Sequence, residues 1–162
     1  ICQLIEFGKF YYTGFFSKLN PITEFIGLRF PRPITTSIFA MLFLVNLVDL
    51  VNIKEVIYPG HKSHPEYSIA QKQMTGGGPI VTFKVDGGKK KAFDFLNKLA
   101  LIKISNNLGD ARTLITHPKT TTHRNLSDSE CIDLGITDST LRISLGLEDI
   151  DDIIADIDKS IR

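Results

Sequence analysis

Two hydrophobic periods in the C-terminal half of this 162-residue chain constrain its fold more than any other feature. From Ile80 to Val85 the residues alternate, with Val81, Phe83 and Val85 on one side, which is the period of a half-buried strand. Near the C-terminal end, isoleucines at helical spacing form one apolar stripe: Ile150, Ile153, Ile154, Ile157 and Ile161. A sheet face and a helix stripe of this kind bury each other, so the sequence predicts strands covered by helices.

Turn and capping signals divide the remaining residues of this half into further elements. Asp86 and the two glycines after it predict a turn before a helix with one apolar face formed by Phe93, Leu96 and Ala100. Ser127 and Glu130 have the spacing of a capping box, and Gly135 suits a helix stop. Further extended segments are predicted at residues 55–58, 101–105, 112–116 and 140–145. Strands with helices on one face make an α+β two-layer sandwich.

Composition and charge argue against several classes of function. The 19 basic and 18 acidic residues leave a formal net charge of +1, so no nucleic-acid partner is expected. Cys2 and Cys131 are too few and too far apart for a disulfide framework or a zinc knuckle, which favours a reducing cytoplasm. No metal site is expected either, because no cysteine pair accompanies the four histidines: His61, His64, His117 and His123.

One apolar run could be interpreted either as a membrane-spanning helix or as a buried helix. The segment IFAMLFLV from Ile38 is interrupted soon afterwards by Asn46 and Asp49. A membrane-spanning helix needs about 20 mostly apolar residues, so we expect no membrane partner. A helix that is apolar on nearly all sides is better explained as one buried between two domains.

Four blocks of the sequence share their order and spacing with one enzyme family. They are QMTGGGPIVTFKV from Gln73, ISNNLGDARTLITHPKTTTH from Ile104, SDSECIDLGI from Ser127 and LRISLGLED from Leu141. In these blocks the chain resembles the C-terminal domain of the pyridoxal-phosphate (PLP) enzymes of cysteine and methionine metabolism, closest to O-succinylhomoserine sulfhydrylase and cystathionine gamma-synthase. The resemblance implies the small domain of a fold-type I PLP enzyme: a mostly antiparallel sheet with helices on one face, preceded by a helical segment.

The resemblance implies PLP as the cofactor, which the family holds as an imine on a lysine in a Ser-x-Thr-Lys context. This sequence contains no such tetrapeptide; Lys72, Lys119 and the run from Lys89 to Lys91 stand in other contexts. No catalytic residue is therefore assigned, and the chain alone is expected to be inactive. We expect it to be the carboxyl-terminal part of a longer enzyme or the product of a disrupted reading frame.

Two residues are predicted to bind substrate. The family uses the arginine of its R-x-S-x-G-x-E motif to hold the substrate's α-carboxylate, and RISLGLE from Arg142 matches that motif. A planar guanidinium grips a carboxylate with two parallel hydrogen bonds. Asn107 matches a loop position that helps to place the same carboxylate. Without the motif, Arg142 would be interpreted as a solvated sheet residue, and for Asn107 a turn-forming role remains an alternative.

We predict three segments in the chain: a poorly matched segment at residues 1–37, a linking helix and entry at 38–58, and a C-terminal substrate-binding domain at 59–162. The resemblance implies an enzyme that joins sulfide or a thiol to O-succinylhomoserine or O-acetylhomoserine. Cystathionine gamma-synthase or gamma-lyase activity is the alternative within the family. The partners implied are an amino-acid substrate, the missing large domain and further copies in a homotetramer. A non-catalytic folded remnant or an interaction module remains the alternative outside the family.

Overall fold

The computed structural model describes Leu47, Leu50 and residues 52–162. The segment at residues 1–37 and most of the predicted linking helix lie outside these residues. The elements in chain order are β1 (Ile53–Ile57), α1 (Tyr67–Gln73), β2 (Ile80–Val85), α2 (Gly88–Lys98), β3 (Lys103–Ile104), β4 (Leu114–Thr116), a 3-10 helix (Pro118–Thr120), α3 (Asp128–Asp133), β5 (Thr140–Ser144) and α4 (Ile150–Ile161).

The strands form one five-stranded sheet in the order β1-β2-β5-β4-β3. Three of the four pairings are antiparallel, and only the edge pair of β3 and β4 is parallel. This confirms the predicted α+β fold with a mostly antiparallel sheet. Because β1 pairs with β2, the sheet begins within residues 38–58, where the sequence predicted a linking segment. The division into three segments stays a prediction.

The hydrophobic core follows the two periods in the sequence. Val81, Phe83 and Val85 are buried while their neighbours in β2 are partly exposed, as strand alternation requires. From α4, Ile153 and Ile157 are fully buried, and the other three stripe isoleucines pack against the same cluster. Leu47, at 1% exposure, also belongs to this cluster, so it packs with the sheet and its helices.

The predicted face of α2 is partly wrong. The helix buries Ala92, Phe95 and Leu96, and it ends at Lys98, so Ala100 lies outside it and is exposed. Leu99 already has extended backbone, which ends the helix before the predicted position. Phe93 is turned away from the core, and its ring packs against that of His117 at 5.2 Å between centroids.

The predicted ends of α3 are confirmed. The Ser127 hydroxyl accepts a hydrogen bond from the backbone amide of Glu130, and the Glu130 carboxylate accepts one from the backbone amide of Ser127. Hydrogen bonds from the Ser127 hydroxyl and then from the Ser127 backbone amide lower the pKa of the Glu130 carboxyl. After the helix, Gly135 has φ +71°, and the amides of Gly135 and Ile136 bond back to Ile132 and Cys131. This is a Schellman ending, which needs the left-handed backbone that glycine tolerates.

Within the described part of the chain, no helix is long and apolar enough to cross a membrane. The apolar run from Ile38 falls outside that part, so its predicted burial between domains stays a prediction.

Candidate functional site

Arg142 lies in the middle of the sheet, on the face opposite to the hydrophobic core. Its Cα pairs with Thr82 of β2 on one side and Thr116 of β4 on the other. Its neighbours Leu141 and Ile143 are fully buried in the core. Strand alternation therefore turns Arg142 to the polar face, where it is half-buried.

The Arg142 guanidinium is largely uncompensated. Its Nη2 donates to the backbone carbonyl oxygen of Asn106 at 3.1 Å, and no described residue accepts a hydrogen bond from its buried Nε. No carboxylate of a described residue forms an ion pair with it. Burial lowers the pKa of Arg142, but a guanidinium remains charged at neutral pH. A half-buried cation with unused donors is suited to bind a carboxylate.

Asn107 lies beside Arg142 on a loop that is fastened at both ends to β5. At one end the Asn106 carbonyl accepts from Arg142, and at the other the Gly109 amide donates to the Ser144 hydroxyl at 3.2 Å. The backbone amide of Asn107 donates to the Ser105 hydroxyl, and Asn107 is exposed. The structure thus brings the two predicted binding residues into one region. Their binding roles stay predictions.

The remaining polar residues of the RISLGLE motif hold the same region together. Glu148 accepts from the Thr113 amide at 2.7 Å and from the Thr113 hydroxyl at 2.8 Å. The Gly146 amide donates to that hydroxyl at 2.9 Å. The chain after β5 is thereby joined to the residue before β4. No role was predicted for Gly146 or Glu148, although their place in the motif with Arg142 was a usable signal.

Gly146 is required for this close approach, which gives a prediction. A Cβ at this position would lie 2.4 Å from the backbone carbon of Arg112 and 2.5 Å from the amide nitrogen of Thr113. We expect Gly146→Ala to lower the free energy of unfolding by about 1 to 3 kcal/mol, as overpacking does. Urea unfolding followed by circular dichroism measures it. The control is the exposed neighbour Leu147, where alanine should cost less than about 0.5 kcal/mol. Equal losses would contradict the steric argument.

Cysteine and histidine chemistry is not supported in the described residues. Cys131 is buried in α3 at 1% exposure. His117 is buried as well, with Nε2 against the Asp138 carbonyl at 3.0 Å and Nδ1 against the Thr120 hydroxyl at 2.9 Å. The carbonyl only accepts, so Nε2 carries a proton and the ring is held in place. Among the described residues, no three His, Cys, Asp or Glu side chains are grouped to hold a metal ion.

None of the described lysines has surroundings that suit a PLP imine. Such a lysine must lose its proton to act as a nucleophile. Lys119 is paired with Asp128 and Asp138 at 3.0 and 3.2 Å, and hydrogen bonds to these two carboxylates raise its pKa. Lys84 is paired with Glu55 at 2.8 Å, and Lys103 donates to a backbone carbonyl. The other described lysines are exposed: Lys54, Lys62, Lys72, Lys89, Lys90, Lys91, Lys98 and Lys159. The residues around Arg142 therefore fit a substrate carboxylate and not the cofactor's attachment point.

A groove of about 440 Å³ lies elsewhere, between the turn after β2, α2 and the end of α4. Neither Arg142 nor Asn107 lines it. Its charged rim mixes lysines with Asp86 and Asp94, so it does not select a charged ligand of either sign. Arg142 is the stronger candidate because its guanidinium offers a specific chemistry, whereas the lining of the groove offers none.

Comparison with known sequences extends over most of the chain. The family model described as Cys/Met metabolism PLP-dependent enzyme matches residues 27–162. O-succinylhomoserine sulfhydrylase of Mycobacterium tuberculosis is 50% identical over 114 residues, which cover 68% of this chain and 28% of that relative. L-methionine gamma-lyase of Fusobacterium nucleatum is 40% identical over 119 residues, which cover 71% of this chain and 30% of that relative. The chain thus spans less than a third of the length of these curated relatives.

Solved structures share the fold. A structure of O-acetylhomoserine (thiol)-lyase from Campylobacter jejuni, which contains a pyridoxyl-lysine monophosphate, superimposes with a TM-score of 0.75 at 33% identity. The matched region covers 80% of this chain and 31% of that one. Most of this chain is therefore similar in fold to about a third of a longer chain of known structure.

Proposed function

The chain belongs to the Cys/Met metabolism PLP-dependent enzyme family, and from this premise we propose that it supplies the domain that holds the substrate's α-carboxylate. Arg142 is the proposed binding group. The observation that carries the proposal is a half-buried guanidinium that has one hydrogen bond to a backbone carbonyl and no ion pair with a described carboxylate. Asn107, on the adjoining loop, is the proposed second contact.

Binding at Arg142 would fix the orientation of the substrate. Two parallel hydrogen bonds to one carboxylate set its plane as well as its position, which a single point charge does not do. Bound PLP supplies the electron sink that stabilises negative charge at the α-carbon. The role left to Arg142 is to present that carbon in one orientation, and part of the catalytic advantage of an enzyme comes from such alignment.

The proposed substrate is an O-acylhomoserine, with sulfide or a thiol as the second reactant. Among the relatives, the O-succinylhomoserine sulfhydrylase is 50% identical and the L-methionine gamma-lyase 40%, which favours sulfhydrylation over elimination. We further propose a cytoplasmic homotetramer in which a large domain outside this sequence contributes the cofactor lysine. Replacement of Arg142 in a complete enzyme tests the central claim, because substrate use should fall while the cofactor stays bound.

The 162-residue chain is expected to form no specific imine with PLP. The described lysines are either exposed or engaged with carboxylates and carbonyls, so none is a selective nucleophile. After incubation, the visible spectrum is recorded and the adduct is reduced and mapped by mass spectrometry. We expect only weak modification spread over several lysines. A stoichiometric adduct at one lysine would show that the chain attaches the cofactor itself and would refute the proposed division of labour.

A further inference from the structure

The direction in which the Arg142 guanidinium points depends on a single acceptor. Among the described residues, only the Asn106 carbonyl accepts a hydrogen bond from it, at 3.1 Å. Asn106 is exposed and lies outside the strands, so no sheet hydrogen bond holds that carbonyl in position. Something else must fix Asn106 if Arg142 is to keep one orientation.

The side chain of Asn106 is held by Thr116. The Thr116 hydroxyl donates to Asn106 Oδ1 at 2.8 Å. Thr116 itself is 1% exposed and belongs to β4, whereas Asn106 belongs to the loop after β3. Thr116 of the buried strand therefore holds the side-chain amide of Asn106 on the exposed loop, while the backbone carbonyl of Asn106 accepts from Arg142.

These contacts close into a ring. Thr116 and Arg142 are Cα partners across β4 and β5, so the backbone already fixes the distance between the two residues. From Thr116 the ring continues through its hydroxyl to the Asn106 side chain, and from the Asn106 carbonyl to Arg142 Nη2. A ring with one side formed by a sheet pairing leaves the guanidinium little freedom.

Thr121 lies next to the ring. Its hydroxyl donates to the His117 carbonyl at 2.8 Å and lies 3.0 Å from the Thr116 hydroxyl. Because the Thr121 proton is directed to that carbonyl and the Thr116 proton to Asn106, Thr121 packs against the Thr116 hydroxyl without competing for the Asn106 side chain.

We propose that Thr116 and Asn106 are positioning residues for Arg142: the buried hydroxyl fixes the Asn106 amide, and the Asn106 carbonyl fixes the guanidinium that receives the substrate carboxylate. The inference rests on the proposed function of Arg142. It adds that the orientation of the guanidinium depends on a threonine buried in the neighbouring strand.

The test uses the Nε–H of Arg142, observed by NMR in the 162-residue chain. This group is buried without a hydrogen-bond partner, so only the fixed position of the side chain protects it from exchange with water. Thr116→Val removes the hydroxyl and keeps the shape, and Asn106→Ala removes the same bond from the exposed side. Each should raise the Nε–H exchange rate by about 3- to 10-fold, the effect of one net hydrogen bond. Thr116→Ser restores the hydroxyl and should return most of the protection.

Two controls separate positioning from general loosening of the fold. The amide exchange of Ile143, a buried neighbour in the same strand, should stay unchanged in every variant. Thr75→Val removes an exposed hydroxyl that bonds to no described residue, and Arg142 exchange should not respond. Unchanged Nε–H exchange in both Thr116→Val and Asn106→Ala would overturn the inference. So would a parallel rise at Ile143. Neither result bears on carboxylate binding itself, which the kinetics of Arg142 variants decide separately.

Discussion

Replacing Asp156 with alanine is expected to lower the free energy of unfolding of the chain by about 3 to 5 kcal/mol. This carboxylate, on α4, accepts three backbone hydrogen bonds: from Ala100 at 2.9 Å and from Leu101 and Ile102 at 3.0 Å each. Its removal leaves three amides without partners, at about 1 to 3 kcal/mol for each buried one. The total falls towards the lower end because Ala100 is exposed and water can replace its bond. Urea unfolding followed by circular dichroism provides the measurement.

Two further variants show whether these bonds cause the loss. Asp156→Asn keeps one side-chain carbonyl oxygen as an acceptor and nearly the same side-chain volume. It should therefore lower the free energy of unfolding by less than Asp156→Ala does. Asp158→Ala, two residues later, removes only a surface pair with Arg162 and should cost less than about 1 kcal/mol. If Asp156→Ala were no worse than Asp158→Ala, the three contacts would have no net stabilising effect.

The Asp156 contacts also position the edge of the sheet. They join α4 to the segment that leads from α2 into β3. The loop with Asn106 and Asn107 follows β3 directly, so α4 indirectly sets where that loop begins. A helix whose isoleucines supply the core thus also helps to place the site on the other side of the sheet.

Most of the elements were predictable because their signals are local, whereas α1 and the 3-10 helix were not predicted. Alternation in β2, the capping box at Ser127 and the isoleucine stripe of α4 each depend on residues a few positions apart. The sequence also located the two short strands β3 and β4 within about two residues. The face of α2 was predicted less well: the helix buries Ala92, Phe95 and Leu96 and ends at Lys98, before the predicted Ala100.

Long-range polar contacts explain why other parts of the site were not predicted. Asp156 is one of several acids in its segment, and only tertiary structure shows that it faces inward. Asn106 and Thr116 meet because of strand register and loop closure, which the one-dimensional pattern does not contain. Arg142 was singled out through its motif, since as an isolated strand residue it has no local signal. The structure adds its surroundings, and substrate binding by Arg142 and Asn107 stays a prediction.

The second large effect is expected for Arg142→Lys in a complete enzyme, made by grafting residues 52–162 onto a full-length relative. Lysine keeps the positive charge but lacks the planar guanidinium that donates two parallel hydrogen bonds, so one of the two hydrogen bonds to the carboxylate is lost. A charge-assisted hydrogen bond contributes about 1.5 to 3 kcal/mol, so kcat/KM toward O-succinylhomoserine should fall by roughly 10- to 150-fold. The visible spectrum of the bound cofactor should not change, because the guanidinium is proposed to contact the substrate and not the cofactor.

The matched control is Arg124→Lys, since Arg124 is also an arginine but is exposed, and its one hydrogen bond among the described residues comes from its backbone amide. It should leave kcat/KM unchanged within about twofold, which is the scatter expected for a surface substitution. Unfolding of both variants should match that of the parent graft, because lysine at position 142 can still donate to the Asn106 carbonyl. Arg142→Lys kinetics equal to those of Arg124→Lys would mean that Arg142 is only a sheet residue. The unused Nε and the missing ion pair would then need an explanation other than substrate binding.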